Sequence, residues 1–337
     1  MLVEEHSPDH RCRHGFDFEF DAAAPHPLLD EFFAEVFSDV GEQEARDRTS
    51  LIQEFVGAAL LGLAPSYRRC LVLVGPRGTA KSQVAEMIQA LFPAFAVSSV
   101  APHRWHERFS LSGLVGRALN VVPELPASEL LGTDAFKAVV TGDIVGAEHK
   151  FRPSFSFKPR AAHLFITNEL PATHDFSEAF FGRFLLCRMD RDMLGASSHR
   201  IDAARAIIDA ERGAMAAWAV NGAARLVRAR GYTIPSTSKE TTEQWRRDVD
   251  NVAVFVDEEC RPVLSKGDTA PDGTLAKPLY GAYRGWAYAN EYRPISSRKF
   301  AYRMRALGLG AVHTNAGSTY PVVLRCAPQT FDRRYSN

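Results

Sequence analysis

A run of five apolar residues, Cys70-Leu-Val-Leu-Val74, meets Gly75-Pro-Arg-Gly-Thr-Ala-Lys-Ser82, and apolar positions then recur at helical spacing from Lys81 to about Leu91. A short, continuous apolar run reads as a strand buried on both faces, the kind found in parallel sheets. Strand, glycine-bearing turn and helix N-terminus in that order make a phosphate cradle, because backbone N–H groups converge there on anionic oxygens. In that reading Gly75, Pro76, Arg77, Gly78, Thr79, Ala80, Lys81 and Ser82 surround the phosphates of ATP. Lys81 supplies a point charge to the β and γ phosphates, and the Ser82 hydroxyl binds Mg²⁺. Ala80 departs from the Gly-x-x-x-x-Gly-Lys-Ser/Thr pattern, and the bland alternative is an ordinary turn between strand and helix.

Two more short runs follow. Ala118 to Val122 leads to Glu124, and Ala162-His-Leu-Phe-Ile leads to Thr167-Asn168. Buried strands alternating with helical segments predict an α/β unit around a parallel sheet. A carboxylate at a strand end, Glu124, suits completion of the Mg²⁺ shell through water and orientation of an attacking water. Asn168 suits holding that water or the γ-phosphate. The alternative for Glu124 is an exposed residue at a strand end with no chemistry.

Composition sets the outer bounds. The 337 residues are 46% hydrophobic and 24% charged, the balance of an ordinary globular chain, and length alone suggests two units. No apolar run is long enough to span a bilayer, and Met1 to His14 lacks the apolar core of a signal peptide, so a cytoplasmic location without membrane attachment is expected. Five cysteines without repeated spacing argue against a disulfide framework or a multi-cysteine zinc module. His6, His10, Cys12 and His14 make only a weak metal candidate.

Net charge is zero but unevenly spread: 13 acidic against 4 basic residues from Met1 to Ser50, and 10 basic against 2 acidic from Lys277 to Asn337. A basic tail is a candidate polyanion contact, or a solvated surface that balances the acidic front. The expected organisation is a flexible acidic N-terminus (1–24), an N-terminal helical segment (25–66), an ATPase core with helical lid (67–232), a linker (233–244) and a basic domain (245–337). In the last of these, helices are predicted over Trp245 to about Cys260, Leu279 to Asn290 and, capped by Ser296, up to Gly308. A β-hairpin is predicted around Asn315-Ala-Gly317. Three helices and a hairpin wing suggest a winged helix whose third helix offers Arg298, Lys299 and Arg303 to DNA. A packing domain between subunits is the rival reading.

Several of these pieces occur in a recognisable order. Glu124, Phe136-Lys137-Ala-Val-Val-Thr141-Gly142-Asp143, Phe155-Ser-Phe-Lys-Pro159, Phe165-Ile-Thr-Asn168-Glu-Leu-Pro171 and Ser177-Glu-Ala-Phe-Phe-Gly-Arg183 together resemble the helicase part of phage and plasmid primase-helicases. These belong to the superfamily-3 helicases of the AAA+ class. The resemblance covers about Pro27 to Leu309. The loop Gly-Thr-Ala-Lys-Ser-Gln83 is also similar to that of the minichromosome-maintenance helicases, where alanine occupies the same place.

The resemblance implies an α/β AAA+ P-loop core and a ring, usually a hexamer, that hydrolyses ATP at subunit boundaries while moving single-stranded DNA through its centre. Lys81 and Ser82 match the family's phosphate loop, Glu124 its acid, Asn168 its sensor, and Arg183 the arginine that reaches a neighbour's nucleotide. Arg188 is the fallback, since the family often shows two adjacent arginines where this chain has Gly182-Arg183-Phe184.

Between Asp143 and the Asn168 strand, two extended pieces flank Lys150-Phe-Arg-Pro153 and read as a hairpin. Superfamily-3 helicases aim such a tip into the channel, which would put Lys150 and Arg152 on phosphates and Phe151 on a base. The role of Lys137 stays open between channel and nucleotide. The expected function is an ATP hydrolase and DNA helicase acting on single-stranded and forked DNA in replication, alongside a separate primase or polymerase, since no primase module precedes the core. A loader or switch that does not unwind processively, and a protein-remodelling machine, are the other classes.

Overall fold

The computed structural model of the chain describes residues 7, 15–107, 109–126, 133–173, 175–193, 202–263, 273–292, 294–314 and 317–325. Two compact units divide at Glu243 and Gln244. The first contains helices α1 (Pro27–Val36), α2 (Glu42–Leu60) and α3 (Ala64–Tyr67), then β1 (Cys70–Val74) and α4 (Lys81–Ala90). There follow β2 (Val97–Ser98), β3 (Leu119–Val122), α5 (Thr133–Thr141), the pair β4 (Val145–Ala147) and β5 (Phe155–Phe157), and β6 (Ala162–Thr167). It continues with α6 (Glu178–Phe181), β7 (Phe184–Arg188), α7 (Ala203–Ala229) and most of α8 (Ser236–Val249).

Five strands form a parallel sheet in the order β2-β3-β6-β1-β7. Every residue of β1, β3 and β6 is buried, which is why these strands read as unbroken apolar runs rather than alternating ones. On one face Leu71, Leu73, Leu164, Ile166 and Leu185 share a core with Phe55 of α2 and Trp218 of α7. The two helices approach closely because Gly57 and Gly222 lack side chains. A Cβ at Gly57 would lie 2.1 Å from the Ala219 carbonyl oxygen, and one at Gly222 would lie 2.5 Å from that of Gln53. On the other face Trp105, Phe136, Phe165, Phe180 and Phe184 pack as one aromatic group around His163, whose imidazole pKa burial pushes down to about 3.

The N-terminal helices belong to this same core. Buried Glu211 accepts hydrogen bonds from Leu28 N (2.8 Å) and Leu29 N (2.9 Å), satisfying donors that the first turn of α1 leaves free. Buried Glu54 of α2 accepts from Arg225 Nε (2.7 Å) and Thr233 N (2.7 Å).

The apolar run Phe184 to Cys187, which periodicity alone does not distinguish from helix, forms β7, and the long helix of the segment begins only at Ala203. Two expectations need correction. The segment expected to be flexible is partly held, since Arg212 Nη2 donates to Asp17 Oδ1 at 2.6 Å and its guanidinium lies 4.8 Å from the Phe18 ring. The expected linker is largely α8, whose first turn is tied to α2 because Ser236 N and Oγ donate to Glu44 Oε2 at 2.9 and 2.7 Å. Of the four candidate metal ligands near the start, all lie outside the described residues.

The second unit contains α9 (Asn251–Glu259), β8 (Cys260–Pro262), β9 (Thr274–Leu275), α10 (Ala276–Ala289), α11 (Ser297–Ala306), β10 (Val312–Thr314), β11 (Gly317–Tyr320) and β12 (Val322–Leu324). Phe255, Tyr283 and Phe300 join α9, α10 and α11. The buried Tyr283 hydroxyl donates to Asn251 Oδ1 and accepts from Ile295 N, both at 3.0 Å. Strands pair as β10-β11-β9 and β12-β8. Asp250 interrupts the single helix expected from Trp245: its side chain accepts from Ala253 N (3.2 Å) and starts α9. Ser296 caps α11 as its position suggested. The expected hairpin turn at Asn315 and Ala316 lies outside the described residues.

Candidate functional site

Val74 pairs in register with Thr167, and Val122 with Phe165, so β1, β6 and β3 end side by side on one edge of the sheet. Gly75 N donates to Thr167 O (3.3 Å), Leu125 N to Ile166 O (2.8 Å) and Thr167 Oγ1 to Leu125 O (3.0 Å), stitching the three exits together. There the loop after β1, Glu124 after β3 and Asn168 after β6 line a cleft of about 470 Å³. That size suits a small-molecule ligand.

The loop has an unusual backbone. Gly75 has φ +156°, and a Cβ on it would lie 1.9 Å from the Met189 carbonyl oxygen, so no other residue fits. Gly78 (φ +81°) and Ala80 (φ +62°) are left-handed, and Ala80 is the residue from which α4 starts. Met193 N donates to Gly78 O and Met189 N to Val74 O, both at 2.9 Å, pinning the loop to the chain after β7.

Lys81 is buried in the floor of this loop, where Nζ donates to Gly75 O (2.6 Å), Pro76 O and Thr79 Oγ1 (3.2 Å). Burial lowers its ammonium pKa while the charge of Asp190 acts to raise it. Among the described residues no carboxylate forms a salt bridge with Lys81, and the three oxygens its ammonium meets are neutral. Ser82, Glu124 and Asn168 are exposed at the cleft. No group of three or more His, Cys, Asp and Glu that could hold a metal exists among the described residues. A metal here would therefore rest on Ser82, Glu124, water and phosphate oxygens, a sparse protein set that fits Mg²⁺.

Arg183 is elsewhere. It precedes β7 and its carbonyl accepts from Cys70 N, placing it at the opposite end of β1 from the loop. Five strand residues span roughly 16 Å, beyond the reach of its side chain toward its own cleft. Arg188 lies at the near end of β7, but its Nε and Nη2 are occupied by Asp190 at 2.9 and 2.6 Å.

The hairpin is an antiparallel β4–β5 pair with Val145 opposite Phe157. At its tip Lys150 and Arg152 are exposed, Phe151 is 93% exposed with φ +64°, and the Lys150 ammonium lies 5.2 Å from the Phe151 ring. Two cations missed in the sequence follow β5 directly. Ser156, Lys158 and Arg160 are exposed while Phe157 and Pro159 turn inward, a period-two pattern legible once the strand is known. Lys137, by contrast, is bound to Asp175.

In the second unit, Arg298 and Lys299 are exposed on α11, and so is Tyr302. Arg303 is not free to meet a ligand: it is paired with the buried carboxylate of Asp250.

Residues 73–183 match a family of unknown function, DUF5906. No curated protein matches the sequence. Among solved structures, the A-form apo structure of the NrS-1 C-terminal region is similar, with a TM-score of 0.52 and 12% identity over 88% of this chain and 75% of that one. Two further apo structures of that region reach a TM-score of 0.49 at 11% identity, over 91% and 77% of the respective chains. At such identity the likeness concerns the fold. Among the described residues no helix is long and apolar enough to cross a membrane.

Proposed function

We propose that this chain is a ring-forming, ATP-dependent DNA helicase that translocates on single-stranded DNA in the replication of a phage, plasmid or related element. The observation that carries the reading is the division of labour across the sheet. Loop, acid and polar residue converge at one edge, while Arg183 stands at the other, out of reach of its own cleft and available to a second copy's. The motif order resembling superfamily-3 helicases and the fold likeness to the NrS-1 C-terminal region support the AAA+ assignment, and the arrangement of α9 to α11 with β9 to β11 supports a winged-helix reading of the second unit.

In this mechanism the Gly75 to Ser82 backbone and Lys81 grip the phosphates, and an incoming anion competes with the Gly75 and Pro76 carbonyls for the ammonium. Mg²⁺ held by Ser82, and through water by Glu124, would neutralise phosphate charge. Glu124 takes a proton from the attacking water, and Asn168 positions that water against the γ-phosphate. Arg183 of the adjacent copy stabilises charge on the transferring group, coupling hydrolysis to assembly. The hairpin tip grips the DNA backbone with Lys150 and Arg152, joined by Lys158 and Arg160 in the segment after β5, and is indifferent to base order.

The test is strand separation on a forked duplex with ATP and Mg²⁺, alongside DNA-stimulated ATP turnover. Both activities are expected from the wild-type chain and neither from Lys81→Ala. Turnover without strand separation would assign the loader or switch class instead.

A further inference from the structure

The second unit holds a pocket of its own, about 310 Å³ between α10, α11 and β11. Small residues clear the space on each side: Ala276 opens α10, Ala301 lies midway along α11, and Ala311 stands just before β10. Side chains two apart on a strand share a face, and Ser318 and Tyr320 of β11 turn theirs to this space. On α11 the lining includes both Ser297 and Arg305, so it runs roughly 12 Å along the helix.

Its floor is aromatic. The buried Phe300 ring packs edge-on against Tyr280 at 5.6 Å and Tyr320 at 6.1 Å. The Tyr280 hydroxyl is spent on Ile295 O at 2.9 Å, and Ser318 Oγ lies 3.5 Å from His313 Nδ1. Tyr320 is only 4% exposed, yet among the described residues its hydroxyl has no hydrogen-bond partner. Burial raises the pKa of this phenol while the nearby charge of Arg305 acts to lower it. Arg305 itself has neither a salt bridge nor a hydrogen bond among the described residues, and no Asp or Glu lines the pocket. A neutral phenol and a guanidinium that both lack acceptors favour an anion, because a charge-assisted bond offsets the cost of leaving a donor unsatisfied.

We propose that this pocket binds a free nucleoside monophosphate, with the phosphate on the Arg305 guanidinium and the Tyr320 hydroxyl and the base against the aromatic floor. The planar guanidinium fork meets phosphate oxygens two at a time. Phe300 and Tyr280 offer ring edges and faces to a flat heterocycle, and the Ser297 and Ser318 hydroxyls, which both donate and accept, serve the sugar and the base edge. The volume stands at the lower end of small-molecule sites, which suits one nucleotide rather than a strand. Pocket and cleft belong to different units, so the assignment does not depend on how the cleft is read. Its lining is drawn from positions as far apart as Ala276 and Tyr320, and no single stretch of sequence reports it.

Photolabelling of the full chain with 8-azido-AMP, followed by peptide mapping, separates this pocket from the cleft. Saturable label is expected on peptides that carry Tyr280, Phe300 or Tyr320, and unlabelled AMP is expected to displace it. In Arg305→Gln the concentration that half-saturates this label should rise about 10- to 100-fold, with the melting temperature unchanged because Arg305 is exposed. Ala301→Phe, which fills the space from an exposed position of α11, should abolish the label. Where Ala301→Phe does not fold, Arg305→Gln decides alone. Label confined to peptides of the Gly75 to Ser82 loop overturns the proposal, as does label on the second unit that Arg305→Gln leaves at wild-type strength. Adenosine that displaces the label as well as AMP does removes the phosphate contact and overturns it too.

Discussion

Arg303 Nε donates to Asp250 Oδ2 at 2.7 Å, and the two side chains are only 13% and 3% exposed. The carboxylate also caps α9, so one acid fixes both the start of that helix and the face of α11. Asp250→Ala would leave a buried cation unpaired and is expected to cost the second unit roughly 3–5 kcal/mol, read as a lower denaturant midpoint. Arg298→Ala with Lys299→Ala should leave the midpoint unchanged, weaken DNA binding and flatten its dependence on log salt by about 2. The opposite pattern, DNA contact through Arg303 and a structural role for Arg298, would contradict this assignment.

Glu124→Gln keeps size and polarity after β3 but removes the proposed base. ATP turnover should fall by about 10²- to 10⁴-fold while nucleotide affinity in the presence of Mg²⁺ changes little. A variant with near-normal turnover would move the base elsewhere.

Ala80 bears a side chain where the backbone is left-handed, a conformation that costs an L-residue roughly 1–2 kcal/mol. Ala80→Gly removes that cost and increases unfolded-state freedom, leaving a net stabilisation of about 0.5–1 kcal/mol. Equilibrium unfolding measures this directly, and a loss of stability would mean that the methyl group makes a compensating contact.

Phe151 is almost wholly exposed at the hairpin tip, so it contributes little to the core. Phe151→Ala should leave the melting temperature within a degree or two and weaken single-stranded DNA binding by about 1–3 kcal/mol. Equal affinity in the two proteins would remove stacking from the mechanism.

Glu44 accepts hydrogen bonds from Ser236 and Arg48 and is also bonded to Thr237. Burial works to raise its pKa, but bonds from Thr237, Ser236 and Arg48 outweigh it and hold the pKa down at about 2. A depressed carboxylate stabilises the fold above its unfolded pKa of about 4.3, and that contribution, on the order of 2–3 kcal/mol, disappears as pH falls toward about 2. Glu44→Gln should lower stability at neutral pH and make it less sensitive to acid between these values, as a series of unfolding curves would show.

Much of the first unit was legible in the chain itself. A strand buried on both faces is apolar at most positions, so β1, β3 and β6 were readable as runs, and the glycine-bearing turn after β1 drew the phosphate-cradle reading. Glu124 and Asn168 could be named because each follows such a run, though their meeting at one edge depended on β6 lying between β1 and β3. Helix capping by Ser296 was local, and therefore readable.

Other features were decided only in three dimensions. Periodicity places Arg298, Lys299 and Arg303 alike off the apolar face of α11; which of them meets solvent depends on where Asp250 of a different helix comes to rest. Helical propensity could not show that Ser236 and Thr237 would be captured by Glu44. Spacing along a chain reports what a segment buries, because that is set by the pitch of its own backbone. Which charges meet is set by how segments pack, and that is a property of the tertiary structure alone.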